Sequence, residues 1–276
     1  MERSAMTFAA NPPLTFAESD RSPLSIRAKA LVFVDARSQQ LRERAEALAS
    51  TGMPLSILGE TGTGKELLAR YVHRRSERAG LFVAVNCAAI SPQWGEAELF
   101  GHVEGAHVGA ASSRAGWFGS ANGGTLYLDE IADLPRPLQS KLLAALETRE
   151  VYRVGASQAL PVDVRLVAAS SVDLARAVAA GTFDERLHAY LCDGQLLFPA
   201  LRQRIGDILP LAEYFLGIHA HRLGLAIAGI SPAAQAALQA HSWPGNTREL
   251  ENVIHFALLL AGEEEIGPEH LQLPGG

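Results

Sequence analysis

"LSILGETGTGKELLARYV", Leu55 to Val72, decides how the chain is read. An apolar run enters a glycine-rich turn, and the turn opens at once onto residues with helical spacing. "MPLSILGE" reads as a buried strand, and "KELLARYVHRRSE" as a helix with Leu67, Leu68 and Val72 on one face. Between them lies "GETGTGK", Gly59 to Lys65. A strand, a glycine loop and a helix in that order is the setting a phosphate-binding P-loop requires. Glycines let successive backbone N–H groups turn toward phosphate oxygens, and the helix N-terminus adds the positive end of its dipole. Lys65 supplies charge to the β- and γ-phosphates. The predicted nucleotide-binding residues are Gly59, Glu60, Thr61, Gly62, Thr63, Gly64, Lys65 and Glu66. Glu66 stands where the general pattern has Ser or Thr, whose hydroxyl would help hold Mg²⁺.

Outward from this stretch, "LFVAVNCAAI", "GTLYLDE" and "VDVRLVAASS" read as three more strands. "ALVFVDARSQQLRERAEALAS" gives a short apolar run and a helix through Leu41 and Leu48; "RPLQSKLLAALETRE" gives a helix with Leu138, Leu142, Ala145 and Leu146 inward. Apolar strands alternating with helices predict an α/β fold, a parallel sheet covered by helices on both faces. The third strand delivers two acids to the sheet edge beside the phosphate loop. Asp129 is predicted to hold Mg²⁺ and Glu130 to orient and polarise the attacking water. After about Phe198 only helices are predicted: "RIGDILPLAEYFLGIHAHRLGL", "SPAAQAALQAHS" and "NTRELENVIHFALLLAG". Ser231 before Pro232 is a good helix start, and Asn246 is expected to cap the last helix. The expected organisation is a flexible leader over 1–25, an α/β nucleotide-binding domain over 26–200 and a small all-helical domain over 201–276.

The bulk numbers agree. The chain has 276 residues, 48% hydrophobic and 20% charged, ordinary for a soluble globular protein with ample core. A net charge of −6 leaves no global basic footprint, so non-specific nucleic-acid binding is not implied. Two cysteines, Cys87 and Cys192, cannot build a disulfide scaffold or a Cys-rich zinc site; both are expected to be small buried residues in a reducing compartment. No apolar run is long enough to span a bilayer, and the N-terminus lacks a signal peptide's apolar segment. The expected location is the cytoplasm, with no membrane partner. One stretch, "GHVEGAHVGAASSRAGW", Gly101 to Trp117, is too polar for a core strand and too broken for a helix, yet lies between two strands.

"GETGTGKE", "FVAVNCAAI", "ELFGHVEGA", "GGTLYLDEI", "LQSKLLAALE", "PALRQRIGDILPLAEYFL" and "WPGNTRELENVI" occur in this order. Together they resemble the AAA+ domain of sigma-54-dependent transcription activators, the bacterial enhancer-binding proteins, from about Ala30 to Leu273. The resemblance implies a P-loop AAA+ domain followed by a helical lid, with ATP and Mg²⁺ bound between neighbours in a ring, usually a hexamer. It implies hydrolysis that drives a surface loop against sigma-54 RNA polymerase; here that loop tip would be Gly105, Ala106, His107, Val108, Gly109 and Ala110. It accounts for Glu66, which the family carries at that position. It implies that Asn86 is a polar switch holding the catalytic Glu130 away from water, beside Asp129, and that Arg248 is a lid arginine sensing the γ-phosphate.

Four departures qualify the expectation. The family's loop tip reads Gly-Ala-Phe-Thr-Gly-Ala; "GAHVGA" has His107 and Val108 at the centre, so the contact with sigma-54 is expected to weaken. No acid or thiol at suitable spacing accompanies His102 and His107, and no metal role is expected of them. The family's two arginine fingers fall at Asp184 and Tyr190 in "FDERLHAYL". A trans arginine is worth about 10³–10⁵ in rate, roughly 4–7 kcal/mol of barrier. Arg186, two residues from the first position, points elsewhere on a helix. Ser171 replaces the family's nucleotide-sensing asparagine. The chain stops at "HLQLPGG", where the family's DNA-binding domain normally follows, so none is expected in this chain. Two functions remain open: an ATPase acting in sigma-54-dependent transcription, as a homo-oligomer or in a mixed ring with another activator, and a nucleotide-binding pseudo-ATPase that modulates such a ring.

Overall fold

The computed structural model describes residues 31–107, 110–225, 229–262 and 264–273. The leader expected over 1–25, and Val108 and Gly109 of the loop tip, lie outside the described residues.

In chain order the elements are α1 (Ala36–Ala49), β1 (Leu55–Leu58), α2 (Lys65–Arg75), β2 (Phe82–Asn86), α3 (Gly95–Phe100), α4 (Gly116–Ser120), β3 (Thr125–Asp129) and α5 (Arg136–Thr148). Then come β4 (Glu150–Tyr152), β5 (Ala159–Pro161), β6 (Arg165–Ser170), α6 (Leu174–Ala179), α7 (Glu185–Cys192) and β7 (Gln195–Leu197). The last helices are α8 (Ile208–Leu223), α9 (Pro232–Ala240) and α10 (Asn246–Ala261). Five strands form one parallel sheet in the order β2-β3-β6-β1-β7. β4 and β5 pair separately as an antiparallel ribbon.

Alternation along the central strands divides the core, because successive side chains of a strand point to opposite faces. Leu126, Leu128, Leu166 and Ala168 pack on one side with Leu138 and Leu142 of α5 and Leu187 of α7. Tyr127, Val167 and Ala169 pack on the other with Leu41 of α1 and Leu68 and Val72 of α2. The third cluster belongs to the helical region, where Leu211 and Phe215 of α8, Leu238 of α9 and Leu250 and Ile254 of α10 surround Trp243. The Trp243 indole is fully buried and donates to Leu238 O at 2.8 Å, so its one polar atom is satisfied.

The structure differs from the sequence reading in several local respects. The sheet has a fifth strand, β7, whose three residues include only one buried side chain, Leu196, too little for a period-two pattern. Leu67 does not share a core with Leu68 and Val72: it packs against the helical cluster, because adjacent helical residues point about 100° apart. Asn246 does not cap α10; Gly245 holds that place, and its N–H is met by Glu249 Oε2 at 2.7 Å. Ser231 does cap α9, accepting from Ala234 N at 3.3 Å.

Candidate nucleotide site

The C-terminal ends of β1 and β3 bring the two predicted halves of the site together. Lys65 opens α2 and is 6% exposed. Its Nζ folds back over the glycine loop, donating to Gly59 O at 2.8 Å and Glu60 O at 3.4 Å, and lies 3.3 Å from Glu130 Oε1. The loop hugs the lid: a side chain at Gly62, which has φ +81°, would meet Gly245 O at 2.4 Å. The Thr63 hydroxyl is turned inward onto Glu60 O at 2.8 Å. Glu66 lies on the outer face of α2, paired with Arg70 one turn on at 2.7 Å.

Glu130 adopts a left-handed backbone conformation, φ 48° and ψ 56°. For a non-glycine residue this costs on the order of 1 kcal/mol and persists only where the surroundings hold it. Here they do: Glu130 Oε2 accepts from both the backbone N and the hydroxyl of Ser171, each at 2.8 Å. Burial works to raise the Glu130 pKa, but the two Ser171 donors and Lys65 outweigh it, and the carboxyl titrates below its ordinary value. Asp129 is pushed the other way by burial, against the opposing pull of the Tyr127 hydroxyl, which donates to Oδ1 at 2.9 Å. Its Oδ2 accepts no hydrogen bond from a described residue. A half-buried carboxylate with one oxygen unspent among the described residues suits a divalent cation with oxygen ligands.

Asn86 ends β2 directly opposite Asp129 in the sheet register. Asn86, Asp129 and Glu130 therefore share one edge of the sheet. The Asn86 side chain, however, accepts from Ala88 N at 3.0 Å and caps the short turn that follows. The grip on Glu130 comes from Ser171 instead.

A set of contacts between loop and lid was missed in the sequence. Glu60 is held by a two-pronged pair with Arg202 and by Asn246 Nδ2 at 3.0 Å. The Arg202 and Asn246 hydrogen bonds hold its carboxyl down at about 2. Asn246 spends its remaining capacity on Thr61 O, at 3.1 Å, and Leu201 N, at 2.8 Å. Arg204, 2% exposed, donates to Thr63 O at 3.0 Å and Thr247 Oγ1 at 3.1 Å and lies 3.4 Å from Asp207. Asp207 in turn accepts from Val34 N and Asp35 N, both at 2.8 Å, and from Ser38 Oγ. One buried ion pair thus joins the segment before α1, the glycine loop and the lid. "LRQRIGD" carried the signal, three charges among apolar residues, but nothing in the spacing says which charges go inside. Arg248 sits on α10 over the same loop; its Cβ would lie 3.4 Å from a Cβ on Gly62, and its side chain is exposed.

The outward-facing positions are arranged differently. Asp184 caps α7, accepting from Leu187 N at 2.9 Å, and Tyr190 packs half-buried against the sheet core. Arg186 is paired with Glu147 at 3.1 Å. The base of the Gly101–Trp117 loop is clasped by reciprocal backbone bonds between His102 and Arg114, at 3.1 and 2.9 Å. Gly101 makes the clasp possible: a Cβ there would lie 2.3 Å from Arg114 O. Gly105 N donates to Ala110 O at 2.9 Å across the tip, beside Ala106, and the His107 ring lies 4.8 Å from both Trp94 and His102. Cys87 is buried as expected, and burial first, then the neighbouring acids, push its thiol up to about 12; Cys192 is exposed, contrary to expectation.

Comparison with known proteins gives this geometry a family. Residues 31–196 match the sigma-54 interaction domain, and residues 202–274 the AAA+ ATPase lid domain. The chain is 50% identical over 261 residues to the sigma-54-dependent transcriptional activator SfnR of Pseudomonas putida, covering 94% of this chain and 71% of that protein. It is 46% identical to the response regulator FleR of Pseudomonas aeruginosa, spanning 51% of its length. Among solved structures, NtrX from Brucella abortus superposes with a TM-score of 0.81 at 38% identity, over 90% of this chain and 57% of that one. NtrX has also been solved in complex with ATP, and that structure superposes with a TM-score of 0.80 at 39% identity, over 87% of this chain and 54% of that one. The parallel sheet, the glycine loop with its paired acids and the helical lid, together with these matches, place the chain in the sigma-54-dependent transcription activators, as their AAA+ domain.

Proposed function

We propose that this chain binds ATP with Mg²⁺ between the glycine loop and the lid and hydrolyses it as a ring subunit, alone or beside another activator, to remodel the sigma-54 polymerase complex. The observation that carries this reading is the Lys65–Glu130 contact at 3.3 Å. It is a pairing of phosphate binder and general base that a phosphate group could enter. On binding, Lys65 exchanges Glu130 Oε1 for phosphate oxygens. The freed carboxylate orients a water, whose oxygen forms the new bond to the γ-phosphorus while the bond to the bridging oxygen breaks. Glu130 takes the water's proton, and ADP leaves with the bonding electrons. Asp129 would hold the Mg²⁺, which neutralises charge on the phosphates. Arg248, over the loop, contacts the γ-phosphate, and Asn86 acts as a polar group at the same edge. The Gly105–Ala110 tip carries the motion to sigma-54.

A second reading, a nucleotide-binding pseudo-ATPase that modulates a complete activator, is favoured by α7. There Asp184 and Tyr190 are absorbed into a helix cap and a core, and Arg186 into an ion pair. ATP turnover per subunit, followed across protein concentration with Glu130→Gln as the blank, separates the two. Turnover that rises with concentration supports the ring ATPase. Tight ATP binding with turnover no higher than the blank sinks it in favour of the modulator.

A further inference from the structure

At the other end of the sheet from Lys65, the strands begin around a second cavity. It measures about 280 Å³ and lies, partly open, between the turn before β1, the end of α5 and the segment leading into β6. Three guanidinium groups line it, Arg78, Arg149 and Arg165, against one carboxylate, Asp163.

Arg165 is the anomaly. It is 2% exposed and meets no carboxylate among the described residues. Fully buried arginines are ordinarily paired, because an uncompensated charge in the interior is costly. Three of its N–H groups donate to Met53 O, Ala49 O and Leu48 O, at 3.0, 2.6 and 2.7 Å. The last two carbonyls belong to the C-terminal turn of α1, whose dipole offers partial negative charge. That accounts for the side chain's position. It leaves two of the five guanidinium donors unspent.

The neighbours add positive charge rather than cancel it. Arg78 donates to Gly124 O and to Asp163, both at 2.8 Å, and Asp163 is largely in solvent. Burial and the adjacent Arg78 charge pull Arg165 down to about 10. Arg149 occupies a left-handed position, φ 56°, just past the end of α5; its carbonyl accepts from Val162 N at 2.9 Å, but its guanidinium makes no hydrogen bond or ion pair with any described residue. The Tyr190 hydroxyl, on the same wall, likewise has no hydrogen bond among the described residues.

Unspent donors on Arg149, Arg165 and Tyr190, around a partly open cavity with a charge surplus, are complementary to an anion. Guanidinium forks match phosphate oxygens two at a time. We propose that this cavity binds a small phosphate-bearing dianion, free phosphate or a phosphate monoester, held by Arg149 and Tyr190 on its outer side and Arg78 and Arg165 within. The site is separate from the glycine loop and does not depend on hydrolysis there.

The test is calorimetric titration of inorganic phosphate and of glycerol 3-phosphate into the Lys65→Ala chain, with chloride keeping ionic strength constant. Lys65→Ala removes the competing phosphate site. One saturable site per chain is expected. Its affinity should fall at least about tenfold in Lys65→Ala/Arg149→Gln, the scale of a lost charge-assisted contact, and a few-fold in Lys65→Ala/Tyr190→Phe. Arg149 and Tyr190 are chosen because Arg165 ties down α1, and its loss would unfold the site. Tighter binding of the monoester assigns the cavity to a phosphorylated metabolite, and tighter binding of phosphate to the free ion. Absence of saturable binding in Lys65→Ala, or equal affinity in the Arg149→Gln variant, overturns the proposal.

Discussion

The nucleotide cleft and helix α7 use the same kinds of side chain in opposite ways. In the cleft, charges converge from distant parts of the chain: Lys65 on Glu130, Ser171 on Glu130, Arg202 and Asn246 on Glu60. Along α7 they are settled on the helix itself and against the exposed end of α5. Asp184 bonds three residues ahead to Leu187, and Arg186 reaches across to Glu147 on the surface. Convergent charges hold a geometry ready for a ligand. A helix cap and an exposed ion pair occupy those charges within the chain itself.

The largest effect expected from this contrast is at Lys65. Lys65→Ala removes the one ammonium among the described residues of the cleft and should abolish measurable ATP binding, a loss of at least about a hundredfold. Unchanged nucleotide affinity in a filter or calorimetric assay would refute the site. The next is at α7. If residues 184 and 190 limit turnover, Asp184→Arg with Tyr190→Arg should raise it in assembled chain toward roughly the 10³-fold scale of a trans arginine. The gain would come despite a cost of about 1 kcal/mol for the lost cap. A double variant that folds, assembles and turns over no faster would place the defect elsewhere.

The lid contacts sharpen the cleft's side of the comparison. Asn246→Ala breaks three hydrogen bonds and orphans the buried Leu201 N–H, for an expected loss of about 2–4 kcal/mol of stability in chemical denaturation. Glu60 supplies the pH signature. Its carboxyl is lowered in the fold from 4.5 to about 2, so its contribution is present above about pH 4.5 and is lost as pH falls toward 2. Wild type and Glu60→Gln should therefore differ in stability at neutral pH and converge in acid. The difference is modest, since the Glu60 side chain is 42% exposed and screened by water. A gap that persists at pH 2 would mean the pair with Arg202 is not its source.

Much of the fold could be read from residues because its signals are local. The strand–glycine–helix run, the acids ending β3 and the cap at Ser231 each depend on neighbours within a few positions. What escaped depends on distance in sequence. β7 is three residues long and becomes a strand only because β1 is there to pair with it. Asn246 looks like a cap in sequence, yet its partners lie 45, 185 and 186 residues away. Ser171 read as a shortened sensor. Only the left-handed turn at Glu130 brings that carboxylate within its reach. Asp207 could not be singled out at all, because its donors come from the segment before α1.

Ser171 gives a finer test. Its hydroxyl helps keep Glu130 ionised against burial, so Ser171→Ala should move the acid limb of the kcat/KM profile to higher pH. The KM for ATP should hardly change, because the remaining Ser171 N–H keeps the carboxylate in place. An unmoved acid limb would mean the hydroxyl is not tuning the base.

The smallest effect is expected at the loop tip. His107 already has an aromatic neighbour in Trp94, at 4.8 Å, so His107→Phe can keep that ring contact while presenting a fully apolar edge. Together with Val108→Thr, which supplies a hydroxyl, it should tighten binding to sigma-54 by a few-fold to about tenfold, the scale of one improved aromatic contact. The control is Trp94→Ala in the same background. If the ring contact positions the tip, removing Trp94 should erase the gain even though residue 107 is now phenylalanine. A gain that survives Trp94→Ala would mean the phenylalanine reaches its partner without support from Trp94. No gain at all would mean that the tip residues 107 and 108 do not limit binding to sigma-54.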